Sequence, residues 1–304
     1  MSRHVVTIEE LGEGALAEVC AYAQEAPRDV LGGQGVALVF EQPSLRTRSS
    51  SAIAVRSLGG WPMFITDDEI GLDRRESVED VGRTLAEYYS ICALRVRDHR
   101  VFERLDAAVG ERLGIVNLLS RAAHPTQAVA DVVTMAEHFT AGRVDDLAGL
   151  RVAYVGDVTN VARSLAVALR LLGAEVVLGA PDAYQLGEEG PEDPRRVPGG
   201  SLRLASSARE AVAGAHVVYT DSWISMGLEA ERAERLDALR EFQVTEELLD
   251  GADPAAVVMH CLPAHRGEEV DPEVLDSPRS LVWRQVAHRV SAMRGALRWM
   301  KEAP

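Results

Sequence analysis

The chain reads as an α/β protein of two doubly wound, parallel-sheet domains, and three observations predict it. Short β-branched runs alternate with helical stretches, as at Val36–Phe40 before Ser49–Ser57 and at Arg151–Val155 before Val161–Leu172, which is the signature of βαβ units on a parallel sheet. The pattern pauses over the polar, glycine-containing residues 141–150 (AGRVDDLAGL) and then restarts. A length of 304 residues also suffices for two ordinary domains, each with its own core. These place one domain at 1–140 and a second at 150–283.

Residues 8–26 carry Leu11, Ala15, Val19 and Tyr22 on one stripe and predict a core-facing first helix. Val36–Phe40 predicts a buried strand, broken by Pro43-Ser44. Ser44 stands where an N-cap belongs, so Arg46, Thr47 and Arg48 fall in the first turn of the next helix, where unpaired N–H groups favour an anion. Two guanidiniums and two hydroxyls there make a phosphate cradle; the competing reading is a capped surface helix that happens to be basic. That helix stops at Leu58-Gly59-Gly60, a C-cap signal. Trp61–Thr66 predicts a second strand, 67–75 (DDEIGLDRR) a charged loop, Glu76 to about Tyr89 a helix, and Ile91–Val96 a strand delivering Arg95. Leu113–Leu119 is a further strand, and His124-Pro125-Thr126-Gln127 precedes a helix from about Ala128 to Thr140. Arg95 alone fits a solvated strand-end charge and His124 a structural histidine beside proline, yet both stand where open α/β sheets bind ligands.

In the second half, Arg151–Val155, the turn GDVTN at 156–160, the helix Val161–Leu172 and Glu175–Gly179 form a βαβ unit. The turn lacks GxGxxG, which disfavours a dinucleotide. Residues 187–200 (GEEGPEDPRRVPGG) predict a loop. Val217–Thr220 delivers Asp221-Ser222-Trp223-Ile224-Ser225-Met226-Gly227, Ala256–Met259 delivers His260-Cys261-Leu262-Pro263, and a last helix runs from about Arg284 to Lys301.

Composition narrows the function. A net charge of −15 argues against nucleic acid or an anionic membrane as partner, so a local arginine cluster implies a focused small-anion site. No apolar run approaches the ~20 residues of a membrane span, and the N-terminus lacks a signal peptide's apolar core; a cytoplasmic protein is expected. Cys20, Cys92 and Cys261 show neither disulfide nor metal spacing, so no metal is expected, and without the glycine fingerprint no cofactor is expected either. Ser44, Arg46, Thr47, Arg95, His124 and Gln127 suit an anion plus a carbonyl oxygen. Asn160, Asp221, Ser225 and Cys261 suit a zwitterion, with an amide for its carboxylate and an aspartate for its ammonium. Two small substrates would meet between the domains.

With FEQPSLRTR at 40–48, HPTQ at 124–127, DSWISMG at 221–227 and HCLPAHRGEEV at 260–270, the chain resembles the aspartate/ornithine carbamoyltransferase family, the ornithine branch most closely. The resemblance implies that the first domain binds carbamoyl phosphate and the second ornithine, with bridging helices, the last of which (284–304) returns to the first domain. It implies that Ser44, Leu45, Arg46 and Thr47 hold the phosphate, that Arg95, His124 and Gln127 meet the carbamoyl group, and that Cys261, Leu262 and Arg289 complete that pocket. Asn160, Asp221, Ser225 and Met226 would be the ornithine site. Arg46, Thr47, Arg95, His124 and Cys261 would carry catalysis, and the assembly would be a homotrimer or a multiple of trimers. Cys261 reads as a pocket wall near the amine, since no base is placed to make it a nucleophile. Departures from the family include Leu45, Ser51-Ala52, Gly71, Arg121, Thr159 and Val286-Ala287-His288. A carbamoyltransferase for another diamino acid, such as diaminopropionate, and a catalytically silent paralogue stay open as alternatives.

Overall fold

In a computed structural model of the chain, residues 3–188, 190–224 and 227–302 are described. Strand β1 (Gly35–Phe40) is buried along its whole length, as an unbroken apolar run requires of a parallel strand covered on both faces. It pairs with β2 (Trp61–Thr66) on one side and β3 (Ile91–Arg95) on the other, and β3 pairs with β4 (Gly114–Leu119). The order is β2-β1-β3-β4, all parallel. Val39 and Leu94 of this sheet pack with Val81, Leu85, Phe102 and Leu105 from the helices Val78–Tyr88 and Arg100–Val109. This compact unit comprises Met1–Val133 and Ala287–Pro304.

The second unit, Thr134–Val286, holds β5 (Arg151–Val155), β6 (Glu175–Gly179), β7 (Leu202–Ala205), β8 (Val217–Thr220) and β9 (Val257–His260) in the order β7-β6-β5-β8-β9, again all parallel. The chain passes from the first unit to the second within the helix Pro125–Thr140 and back within Val282–Glu302. In each sheet the strand order reverses once, between β1 and β3 and between β5 and β8. Such switch points open a crevice beyond the carboxyl ends of the strands. No helix among the described residues is long and apolar enough to cross a membrane.

Several local expectations change. Residues 67–75 are not all loop: Asp67–Ile70 form a helical turn whose Glu69 Oε2 accepts the Thr66 N–H at 2.6 Å, a capping interaction that outweighs the acidic composition. The helix after His124 starts at Pro125, because proline suits a first helical position, where its missing N–H costs nothing. Helix Arg100–Val109 and strand β7 were not foreseen. The four residues of β7 include two exposed ones at a sheet edge and lack an apolar run to announce them. The described part of 187–200 contains neither helix nor strand, yet it buries Glu192 and Asp193 completely. Glu192 accepts from the Ser164 hydroxyl and Asp193 pairs with Arg195, so this loop is anchored by charge.

Candidate active site

In the first unit, Ser44 caps the helix Leu45–Ser57, its hydroxyl accepting the Thr47 N–H at 3.3 Å. The remaining first-turn N–H groups and the positive helix end face the crevice side of β1. Leu45 lies in that turn with its side chain 78% exposed, so its backbone is what it offers a ligand. Thr47 is buried, and its Oγ1 accepts from the Arg289 guanidinium at 2.9 Å. Arg289 also donates to Gln127 Oε1, while Gln127 Nε2 donates to the fully buried Asp131 at 2.7 Å. Thus Arg289, some 160 residues further along the chain than Gln127, locks the amide of Gln127 and leaves the Thr47 O–H free to point elsewhere.

Arg95 ends β3 and is buried. The pairing of β3 with β4 slips there, from Leu94 opposite Asn117 to Arg95 opposite Leu119, and such a bulge re-aims the side chain beside it. His124 is buried at the start of the helix Pro125–Thr140. Burial, followed by the charges of Arg289 and Arg95, holds its imidazole well below the ordinary histidine pKa, so it is neutral at physiological pH. The turn that carries it is braced from below: Ser120 Oγ meets His99 Nδ1 at 2.7 Å and accepts the Ala123 N–H at 3.2 Å.

In the second unit, the Cys261 thiol donates to Asp221 Oδ1 at 2.8 Å, and that oxygen also accepts the Ser222 N–H at 2.7 Å. Asp221 follows β8 and Cys261 follows β9. Asn160 opens the helix Asn160–Leu171 after β5, with its Oδ1 accepting the Val161 N–H at 3.0 Å. The turn before it begins at Gly156, with φ of 115°, where a Cβ would lie 2.7 Å from Trp223 Nε1; only glycine fits. Leu262 follows Cys261 and donates its N–H to His260 Nδ1 at 2.8 Å. Ser225 and Met226 lie outside the described residues.

Sequence reasoning missed what holds these groups. Because His260 Nδ1 is an acceptor, Nε2 carries the proton and donates to the buried Glu269 Oε1 at 3.2 Å. Glu269 Oε1 also accepts the His265 N–H, and the His260 N–H reaches Gln285 Oε1 at 3.0 Å. No spacing rule announces such a brace, and its only visible trace is the motif around Cys261. Asp221, His260 and Cys261 bring oxygen, nitrogen and sulfur donors within 4.8 Å of one another, as do the donors of His265, Glu268 and Glu269. In the first group a metal ion would displace the Cys261–Asp221 bond and one of the bonds of His260.

A capped helix N-terminus beside the buried Thr47, Gln127 and Arg289 in one α/β unit, and a carboxylate bonded to a thiol in the other, are the polar groups of a two-substrate group transferase. The chain belongs to the aspartate/ornithine carbamoyltransferase family: residues 3–137 match its carbamoyl-P binding domain and residues 148–300 its Asp/Orn binding domain. It is 37% identical to the ornithine carbamoyltransferase of Methanoculleus marisnigri, over 98% of this chain and 96% of that one. It is 40% identical to the anabolic ornithine carbamoyltransferase of Pyrococcus furiosus, over 89% and 85%. Among solved structures, the ornithine carbamoyltransferase of Pyrococcus furiosus superposes with a TM-score of 0.90 at 35% identity, covering 100% of this chain and 98% of that one. That of Thermus thermophilus superposes with a TM-score of 0.87 at 34% identity, covering 99% and 100%.

Proposed function

We propose that this chain transfers the carbamoyl group of carbamoyl phosphate to the side-chain amine of L-ornithine, giving L-citrulline and phosphate. The observation that carries this reading is the Thr47–Arg289–Gln127 chain of hydrogen bonds at the N-terminal turn of Leu45–Ser57, where Thr47 and Gln127 lie in the part of the chain that matches a carbamoyl-P binding domain. Ser44, Leu45, Arg46 and Thr47 hold the phosphate, through backbone N–H groups, the Arg46 guanidinium and the helix dipole. Arg95, neutral His124 and the Thr47 hydroxyl take the carbamoyl oxygen, with Gln127 at the amide and Arg289, Cys261 and Leu262 completing the surroundings. Asn160, Asp221, Ser225 and Met226 hold ornithine.

The chemistry is direct. An uncharged amine attacks the carbamoyl carbon, negative charge builds on the carbonyl oxygen, the C–O bond to phosphate breaks, and a proton leaves the nitrogen. Donors aimed at that oxygen contribute about 2–4 kcal/mol each by comparison with other oxyanion holes, and fixing two reactants supplies much of the remainder. Asp221 orients the amine, and Cys261, already bonded to Asp221, forms the wall beside it. We further infer a cytoplasmic homotrimer or multiple of trimers, on the strength of the family resemblance.

A ureido-product assay with carbamoyl phosphate and a panel of ornithine, lysine, diaminobutyrate, diaminopropionate and putrescine tests the reading. Ornithine is expected to give the highest kcat/KM, and Arg46→Ala is expected to lose at least about a hundredfold in rate while staying folded. A shorter diamine preferred over ornithine would reassign the substrate, and no product with any amine would refute the transferase.

A further inference from the structure

Most arginines of the first unit are paired. Arg74, Arg83, Arg100, Arg104 and Arg112 each reach a carboxylate, and Arg289 and Arg298 are hydrogen bonded. Among the described residues, Arg48, whose guanidinium lies over the Phe64 ring, and Arg56, in the last turn of its helix, make no ion pair or side-chain hydrogen bond, and neither do Arg46, Arg97 and Arg121. The last three follow the carboxyl ends of adjacent strands. Arg46 comes after β1, Arg97 two residues after β3, and Arg121 two residues after β4.

Backbone bonds stitch their loops together. The Glu41 N–H reaches Arg95 O at 3.0 Å, the Arg97 N–H reaches Glu41 Oε2 at 2.7 Å, and the Arg121 N–H reaches Arg97 O at 3.2 Å. Arg97 and Arg121 are exposed, whereas Arg95 and Arg289 of the cradle are buried. The one carboxylate bound to this stitch, Glu41, is held by a backbone N–H, and the neighbouring Asp98 is taken by Arg100. In a chain of net charge −15, a dianion meets a repulsive field nearly everywhere, so unpaired cations gathered on one edge focus anions there.

Resting on the proposed function, we propose that Arg97 and Arg121 form an outer oxyanion subsite beside the phosphate cradle, where the phosphate dianion of carbamoyl phosphate is captured before it seats on Arg46 and the helix end. Inorganic pyrophosphate, which carries a second phosphate beside the first, is the probe for such a subsite.

The test compares the wild type, the double variant Arg97→Gln/Arg121→Gln, the charge-retaining double variant Arg97→Lys/Arg121→Lys, and Arg83→Gln, which removes one positive charge elsewhere. Calorimetric titration of the wild type is expected to give pyrophosphate binding at least about tenfold tighter than phosphate, falling to within about twofold in the glutamine variant and recovering in the lysine variant. The glutamine variant is also expected to lose about tenfold in kcat/KM for carbamoyl phosphate, less so at high salt, with no comparable loss in Arg83→Gln. The subsite is refuted if pyrophosphate has no advantage in the wild type, if that advantage survives the glutamine pair, if Arg83→Gln loses as much, or if the loss falls on the amine substrate. A wild type that makes no ureido product counts against the proposed function, while the pyrophosphate titration still decides the subsite.

Discussion

His124 is held neutral by burial and by two cations, and that has consequences for both rate and stability. In the role proposed for it, a neutral donor to the developing oxyanion, it works without a titration near pH 6.5, so the activity profile is expected to carry no histidine step from this group. The folded pKa lies well below the ordinary 6.5, so above about pH 6.5 neither state binds the proton and the contribution vanishes. Below it the unfolded chain takes a proton that the folded one refuses, and each further pH unit costs about 1.4 kcal/mol until the folded pKa is reached. Urea unfolding between about pH 6.5 and 5.5 is therefore expected to show the wild type losing about 1 kcal/mol more than His124→Gln. Equal losses would mean that the imidazole protonates freely in the folded protein. The place of His124 before a helix and after a strand is legible in the chain, whereas its neutrality comes first from burial and then from Arg289 and Arg95, which are far from it in sequence.

At the scale of elements, the segment 260–270 is organised around one buried carboxylate. Glu269 gathers the His260 imidazole and the His265 N–H, and His260 in turn takes the Leu262 N–H. Replacing Glu269 by Leu leaves the buried His260 Nε2–H without an acceptor, at a cost of about 1–3 kcal/mol, and frees the part-buried His265 N–H as well. Glu269→Gln retains one acceptor oxygen and is expected to cost less. Urea midpoints at neutral pH rank the two, and a leucine variant as stable as the wild type would remove this role. On the other unit, Ser44→Ala is expected to cost about 1 kcal/mol through loss of the N-cap, together with a raised KM for carbamoyl phosphate. The cap at Ser44 was readable from Pro43-Ser44 because capping is local; the helical turn at Asp67–Ile70 was not, because its capping bond depends on where Thr66 and Glu69 point.

For the whole molecule, the reaction needs an uncharged amine. An alkyl ammonium has an ordinary pKa near 10, so kcat/KM for ornithine is expected to rise about tenfold per unit between about pH 6 and 9. A flat profile at saturating carbamoyl phosphate would count against direct attack. Light scattering is expected to give three times the 32.9 kDa chain mass, or a multiple of that; a monomer that retains full activity would overturn the trimer.

The amino-acid sequence by itself determined the alternation of strand and helix, and hence two parallel sheets, because apolar periodicity and turn residues act over a few positions. It also placed Ser44, Arg46, Thr47, Arg95, His124, Asn160, Asp221 and Cys261 at strand ends, since a parallel sheet exposes whatever follows its strands. Only the tertiary structure decided that Arg289 joins Thr47 to Gln127, that Glu269 holds His260, and that the Arg121 N–H bonds to the Arg97 carbonyl. Those contacts join residues separated by anything from nine positions to more than two hundred. Partners of that kind are chosen by packing and by the need to satisfy buried polar groups, which no local pattern encodes.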